Sequence, residues 1–227
     1  MDNILKSYKE FLDIEYETLM LLRNKISVRR LFLHTAYDAN KVLLFKNPKG
    51  FSFCTHWDIY YNNNECRVLL GAIVRKSSSK DLILSMSHCV CITEGRDLPT
   101  GILRKFHFDY VTEDEQKERT EPRFHLQYGG ELPQEMEGRG ITNEQILSLL
   151  PEVRQPRIFF WPMTIGLLMN MIFYEFPTGD SDHILKESYW QNLVRQNERK
   201  ILKPFYDRCA SLAGRDNAIF FDKVYVH

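Results

Sequence analysis

Two short segments hold the residues whose types and spacing best suit chemistry. In Lys105-Phe106-His107-Phe108-Asp109-Tyr110, aromatic rings alternate with Lys105, His107 and Asp109. In Arg123-Phe124-His125-Leu126-Gln127-Tyr128, apolar side chains alternate with Arg123, His125 and Gln127. A period of two is the mark of a strand, whose side chains point to opposite faces in turn. Between the segments, Thr112 to Glu121 (TEDEQKERTE) has no apolar residue and reads as an exposed loop, so antiparallel pairing is expected. Paired side chains then stand about 5 Å apart. One face would carry two imidazoles and a carboxylate, which suit acid and base work on a phosphodiester or ligation of a divalent cation. The catalytic candidates are His107, Asp109 and His125. Lys105, Arg123 and Gln127 are the ligand-binding candidates, the two cations neutralising phosphate. A sheet with one wet face shows the same alternation with no reactive role, and a solvent- or partner-facing surface is the preferred reading.

The elements that must position these residues follow from periodicity. Ile4, Leu5, Tyr8, Phe11, Leu12, Leu19 and Leu22 recur at helical spacing and predict an amphipathic helix over roughly residues 3–23. Strands are then expected at Val28–Leu33, Val42–Phe45, Phe51–Tyr61, Cys66–Val74, Leu82–Thr93, Leu103–Val111 and Arg123–Tyr128. Turn residues join them, among them Asn47-Pro48-Lys49-Gly50, Asn62-Asn63-Asn64, Ser77-Ser78-Ser79-Lys80 and Asp97-Leu98-Pro99-Thr100-Gly101. Turn-linked strands with no intervening helix predict an antiparallel meander, hence an α+β fold. Past Gly129-Gly130 the pattern turns helical. A short helix is expected from Thr142 to Leu150. An apolar helix through Phe176 follows, with Pro162 in its first turn, and a last helix runs from Asp180-Ser181-Asp182 to about Leu212, kinked or divided by Pro204 near Lys203. The stretch 218–226 is β-prone and is expected to return to the sheet as an edge strand. The division is 1–130 for helix plus sheet and 131–227 for a mainly helical region, packed as one globular unit.

Composition narrows the function. The 227 residues carry 30 basic and 30 acidic side chains, 44% hydrophobic and 13% aromatic, which excludes a disordered chain, a polybasic membrane binder and a general nucleic-acid coat. The five cysteines, Cys54, Cys66, Cys89, Cys91 and Cys209, are irregularly spaced with no C-x-x-C pair, and read as reduced, mostly buried thiols of a cytoplasmic protein. The start lacks a basic n-region and an apolar h-region, and the most apolar stretch, Ile158 to Phe173, falls short of a membrane span. No Walker A loop, G-x-G-x-x-G after a strand, G-x-S-x-G elbow or H-E-x-x-H occurs, so no cofactor and no metal site are expected. His88 reads as a buried histidine, His34 and His56 as hydrogen-bonded structural residues, and Trp57, Trp161 and Trp190 as core anchors. Arg119 and His125 stand at the Arg-x(4–6)-His spacing of HEPN-type ribonucleases, whose motif sits on helices rather than on a loop and strand as here.

Three segments carry a broader resemblance: Pro122 to Gly130, then Pro156-Arg157 with Trp161-Pro162-Met163, then Lys203-Pro204-Phe205-Tyr206. Their order and spacing resemble a group of uncharacterised bacterial proteins found near mobile-element or anti-phage defence genes, as small accessory subunits beside an ATPase or an effector nuclease. The resemblance spans roughly residues 103–207. The group carries an acidic residue after the Pro-Met pair, where Thr164 stands here. The resemblance implies a bacterial cytoplasmic setting and a partner rather than a reaction. The expectation is therefore a non-enzymatic accessory or scaffold subunit binding protein partners in a multi-subunit defence complex. A His/Asp-based, metal-assisted nuclease is one rival. A non-catalytic nucleic-acid-binding module using Lys105, Arg123 and the basic hairpin of Lys41, Lys46 and Lys49 is the other.

Overall fold

Strands that follow one another in the chain also pair side by side and antiparallel, and the sheet is accordingly an up-and-down meander. The computed structural model describes residues 7–25, 32–34, 50–61, 64–95, 101–111, 124–128, 157–177 and 179–213. The strands are β1 (Phe32–His34), β2 (Gly50–Tyr61), β3 (Asn64–Lys76), β4 (Ile83–Glu94), β5 (Gly101–Val111), β6 (Phe124–Tyr128) and β7 (Arg157–Phe159). They lie in chain order, every neighbouring pair antiparallel. The helices are α1 (Tyr8–Lys25), α2 (Ile165–Glu175), α3 (Gly179–Lys186), α4 (Ser188–Asn197) and α5 (Lys203–Ala213), with a π-turn over Glu198–Leu202 between the last two. The chain is thus α+β, an N-terminal helix before an antiparallel sheet and helices after it.

The strands match the expected spans to within two residues over β2 to β6. Gly50, the last residue of an expected turn, has φ +116, and a Cβ there would fall 1.9 Å from the Val74 carbonyl oxygen, so only glycine fits. The expected strand at 42–45, the short helix at 142–150 and the terminal strand at 218–226 lie outside the described residues.

Helix α1 begins later than its apolar periodicity suggested, because Ser7-x-x-Glu10 supplies a cap. Ser7 Oγ accepts the Glu10 N–H at 3.0 Å. The Asp81 carbonyl and carboxylate, in the β3–β4 turn, take the Tyr8 and Lys9 N–H groups at 3.2 and 3.1 Å. Its inner stripe of Tyr8, Phe11, Leu12, Glu15 and Leu19 is buried while Lys9, Glu10, Asp13 and Glu17 face water. That stripe meets the sheet face formed by Val68, Leu70, Val90, Phe106 and Phe108, and the apolar α2 completes the core. Full burial of each such side chain contributes about 1.5–3 kcal/mol.

The C-terminal half departs from expectation in three places. Arg157–Phe159 is a strand, paired to β6 with His125 opposite Phe159, where no strand was expected. Pro162 lies two residues before the N-cap of α2, not in its first turn; Thr164 is the cap, its Oγ accepting the Leu167 N–H at 3.2 Å. Asp180-Ser181-Asp182 sits inside α3 rather than capping it, and the single last helix is three helices. Glu187 is extended at φ −70, ψ 130 and breaks α3 from α4. The new direction buries Trp190, Leu193, Val194 and Asn197 on one stripe of α4, Trp190 donating to Asn170 Oδ1 at 3.0 Å. Before Pro204 the ladder widens to i→i−5, the Lys203 N–H reaching the Glu198 carbonyl. Proline has no N–H and its ring crowds the carbonyl four residues back, so the wider turn relieves a clash that an α-helix could not. Pro204 does perturb the helix near Lys203, as its position predicted, by a π-turn through which the helix continues.

Candidate functional site

The polar set of β5 and β6 is assembled by register. Strand β5 faces β4 with Lys105 opposite Cys91, His107 opposite Cys89 and Asp109 opposite Ser87. On its other side His107 lies opposite Gln127 and Asp109 opposite His125. All of these share the face turned away from Phe106, Phe108 and α1. Lys105, His107, Asp109, His125 and Gln127 are therefore brought together as the alternation predicted. Arg123 lies outside the described residues.

This face is not a wet one. Lys105 is 1% exposed, His125 3% and His107 7%, and Leu69, Cys89 and Cys91 on the same face are fully buried. Both faces of the central strands are buried, which is why β3 and β4 read as near-continuous apolar runs (Val68 to Val74; Cys89 to Ile92). The solvated reading of the alternation is corrected for Lys105, His107 and His125, which are internal, while Asp109 and Gln127 are partly buried.

Their partners are internal as well. His125 Nε2 stands 3.5 Å from Asp109 Oδ2, and His107 Nε2 stands 3.5 Å from Cys89 Sγ. Burial drives the His107 imidazole down to about 4, with Lys105 and His125 adding to the fall and Asp109 opposing it, so His107 is neutral at pH 7. Burial pushes the Asp109 carboxyl up, but hydrogen bonds from His125 and Ser87 and the neighbouring imidazoles prevail, and it rests below the ordinary carboxylate range. Burial lifts the Cys91 thiol to about 12 against the pull of Lys105. Neutral imidazole, ionised carboxylate and protonated thiol form a satisfied set. Among the described residues no group of three or more His, Cys, Asp or Glu is placed to hold a metal ion. The Lys105 ammonium, being buried, is also not presented to a phosphate backbone.

A second polar cluster, not signalled by any motif, lies in the core on the helical side. Glu15 and His88 are both fully buried, with Glu15 Oε1 2.9 Å from His88 Nε2. The same carboxylate accepts the Ile165 N–H, at 2.9 Å to Oε2 and 3.2 Å to Oε1. It thereby places negative charge on the first turn of α2, which has no acidic residue of its own. Among the described residues His88 Nδ1 has no hydrogen-bond partner, which favours the tautomer with the proton on Nε2, since a bare lone pair is cheaper to bury than an orphan N–H. Burial raises the Glu15 carboxyl above its ordinary value, opposed by His88 and the Ile165 N–H. Beside it, Thr164 Oγ1 donates to Asn197 Oδ1 at 2.5 Å and Asn197 Nδ2 donates to the Leu193 carbonyl at 2.8 Å. A Cβ on Gly166 would come within 3.2 Å of Thr18 Oγ1 and 3.3 Å of Asn197 Nδ2, so a glycine lets α1, α2 and α4 close on this cluster. His88 is thus the buried histidine expected. Glu15 was legible only as one acid on a predicted apolar stripe.

The outer surface carries a different signal. Tyr128, Trp161, Tyr174 and Tyr206 are 49%, 38%, 69% and 50% exposed. Trp161 stacks on Phe160 at 3.7 Å and Tyr206 sits edge-on to Phe205 at 5.5 Å. Phe205 packs on Phe124 at 5.4 Å, and the Phe160 N–H bonds the Phe124 carbonyl. Trp161 and Tyr206 therefore flank one end of β6, each a single ring outside the core. Trp190 is the core anchor expected, at 1% exposure; Trp161, expected to be another, is not.

No protein-family model, curated protein or solved structure matches the chain. No helix among the described residues is long and apolar enough to cross a membrane.

Proposed function

We propose that this chain is a non-catalytic accessory or scaffold subunit that binds a partner protein within a bacterial anti-phage or anti-plasmid defence complex. The carrying observation is the exposure of Trp161 and Tyr206 beside the end of β6. Tyrosine and tryptophan supply large, rigid contact area with a polar tip, and they are the residues enriched where proteins meet. The buried polar face supports the same reading from the other side. His125 stands against Asp109 and His107 against Cys89, and both imidazoles are buried rather than open to a substrate. The defence setting follows from the resemblance of the segments within residues 103–207. Co-expression with the products of the flanking genes, followed by purification through a tag on this chain, tests the proposal. A stoichiometric complex is expected; a strictly monomeric chain that retains none of them contradicts it.

The second reading is the His/Asp nuclease, favoured by the convergence of His107, Asp109 and His125 on one face. Phosphodiester cleavage by the purified chain that disappears in His107→Ala and His125→Ala variants, with the fold retained, would establish it. Cleavage indifferent to both substitutions removes it.

A further inference from the structure

Between the start of α1 and the π-turn lies a cleft of about 310 Å³, a size that small-molecule sites occupy. Glu10 and Asp13, three residues apart on one face of α1, stand on one wall. Arg199 and Lys200 of the π-turn stand on the other, and Phe11, Ile14 and Ile201 form an apolar floor. The two walls do not neutralise each other: among the described residues none of the four charged side chains has an ion-pair partner within 4.0 Å. The field across the cleft therefore runs from a carboxylate wall to a cationic wall. A lone anion or cation would be drawn to one side and repelled by the other, whereas an occupant with both charges is held and oriented. The first N–H groups of α1 take no part, because Ser7 and Asp81 already satisfy them.

We propose that this cleft binds a small zwitterion with an apolar side chain, of the size of a free amino acid or dipeptide. The ammonium faces Glu10 and Asp13, the carboxylate faces Arg199 and Lys200, and the side chain lies on Phe11 and Ile201. The π-turn enforced by Pro204 is what brings the two cations to the cleft.

The probe is L-phenylalanyl-L-phenylalanine, titrated at low ionic strength into the isotope-labelled 227-residue chain and followed by amide chemical shifts. The N-acetylated and C-amidated forms of the dipeptide are run alongside. Saturable shifts confined to residues 7–14 and 199–204 are expected. Each cap should weaken binding about tenfold or more, the loss of one charge-assisted contact. Asp13→Asn and Arg199→Gln, both at exposed positions, should each do the same without altering the melting temperature. The absence of saturable shifts up to about 10 mM overturns the proposal. Equal binding of capped and free dipeptide also overturns it, since that is adsorption to an apolar floor.

Discussion

His107 is the sharpest place to test whether the polar face of β5 and β6 is interior. Its imidazole falls from 6.5 in the unfolded chain to about 4 in the folded one. A histidine held neutral by the fold contributes stability that is present above the unfolded value and lost as pH falls toward the folded one. That gap corresponds to about 3 kcal/mol in full, of which about 2 kcal/mol is lost between pH 7 and pH 5. Other groups also titrate. Asp109 acts below its ordinary range, outside this interval, while Glu15, raised by burial, acts in the opposite sense as pH falls. The comparison must therefore be a difference between proteins rather than one curve. His107→Gln keeps a polar end near Cys89 Sγ and removes the titration. Urea unfolding at pH 7 and pH 5 should show the wild type losing about 2 kcal/mol more than the variant over that interval. Coincident pH dependences, or a His107 imidazole that titrates near 6.5 by NMR, would refute the reasoning, because either means that water reaches this face.

The core cluster makes two further predictions. Glu15→Ala strands His88 and the Ile165 N–H and should cost about 3–5 kcal/mol by urea unfolding. Glu15→Gln, which keeps an acceptor for Ile165, should cost less and should abolish the stability that the wild type loses as rising pH ionises the raised Glu15 carboxyl. Thr164→Ala removes the α2 cap and leaves the Asn197 Oδ1 unpaired, a loss of about 2–3 kcal/mol, with Thr164→Ser recovering most of it in the same assay. Native labelling with iodoacetamide, read by peptide mass spectrometry, should modify the partly exposed Cys209 well before Cys91, whose thiol is lifted to about 12.

How far the sequence determines this account differs by element. The meander was legible because β2 to β5 are long, and residues such as Gly50 mark where the chain turns back. The alternation of β5 and β6 placed His107, Asp109 and His125 on one face correctly. Whether that face was wet depended on β3 and β4, whose Val68 to Val74 and Cys89 to Ile92 runs were the available sign that both faces are covered. The Glu15–His88 contact joins residues 73 apart, and no local pattern encodes such a distance. The break at Glu187 was equally hidden, since α3 and α4 each read as helix and only the burial of Trp190 selects the turn between them. Pro204, by contrast, announced its effect through a rule of backbone geometry.

Binding of a co-purified partner by three forms of the chain tests the central claim most directly: wild type, Trp161→Ala/Tyr206→Ala, and His107→Gln/His125→Gln, each checked for its folded fraction. A protein that works through its aromatic surface should lose about 30-fold or more in affinity when the two exposed rings are removed, as for residues at the centre of an interface. It should keep its affinity when the two internal histidines are changed. Undiminished binding by the aromatic double variant contradicts the account, and so does loss of binding confined to the histidine pair.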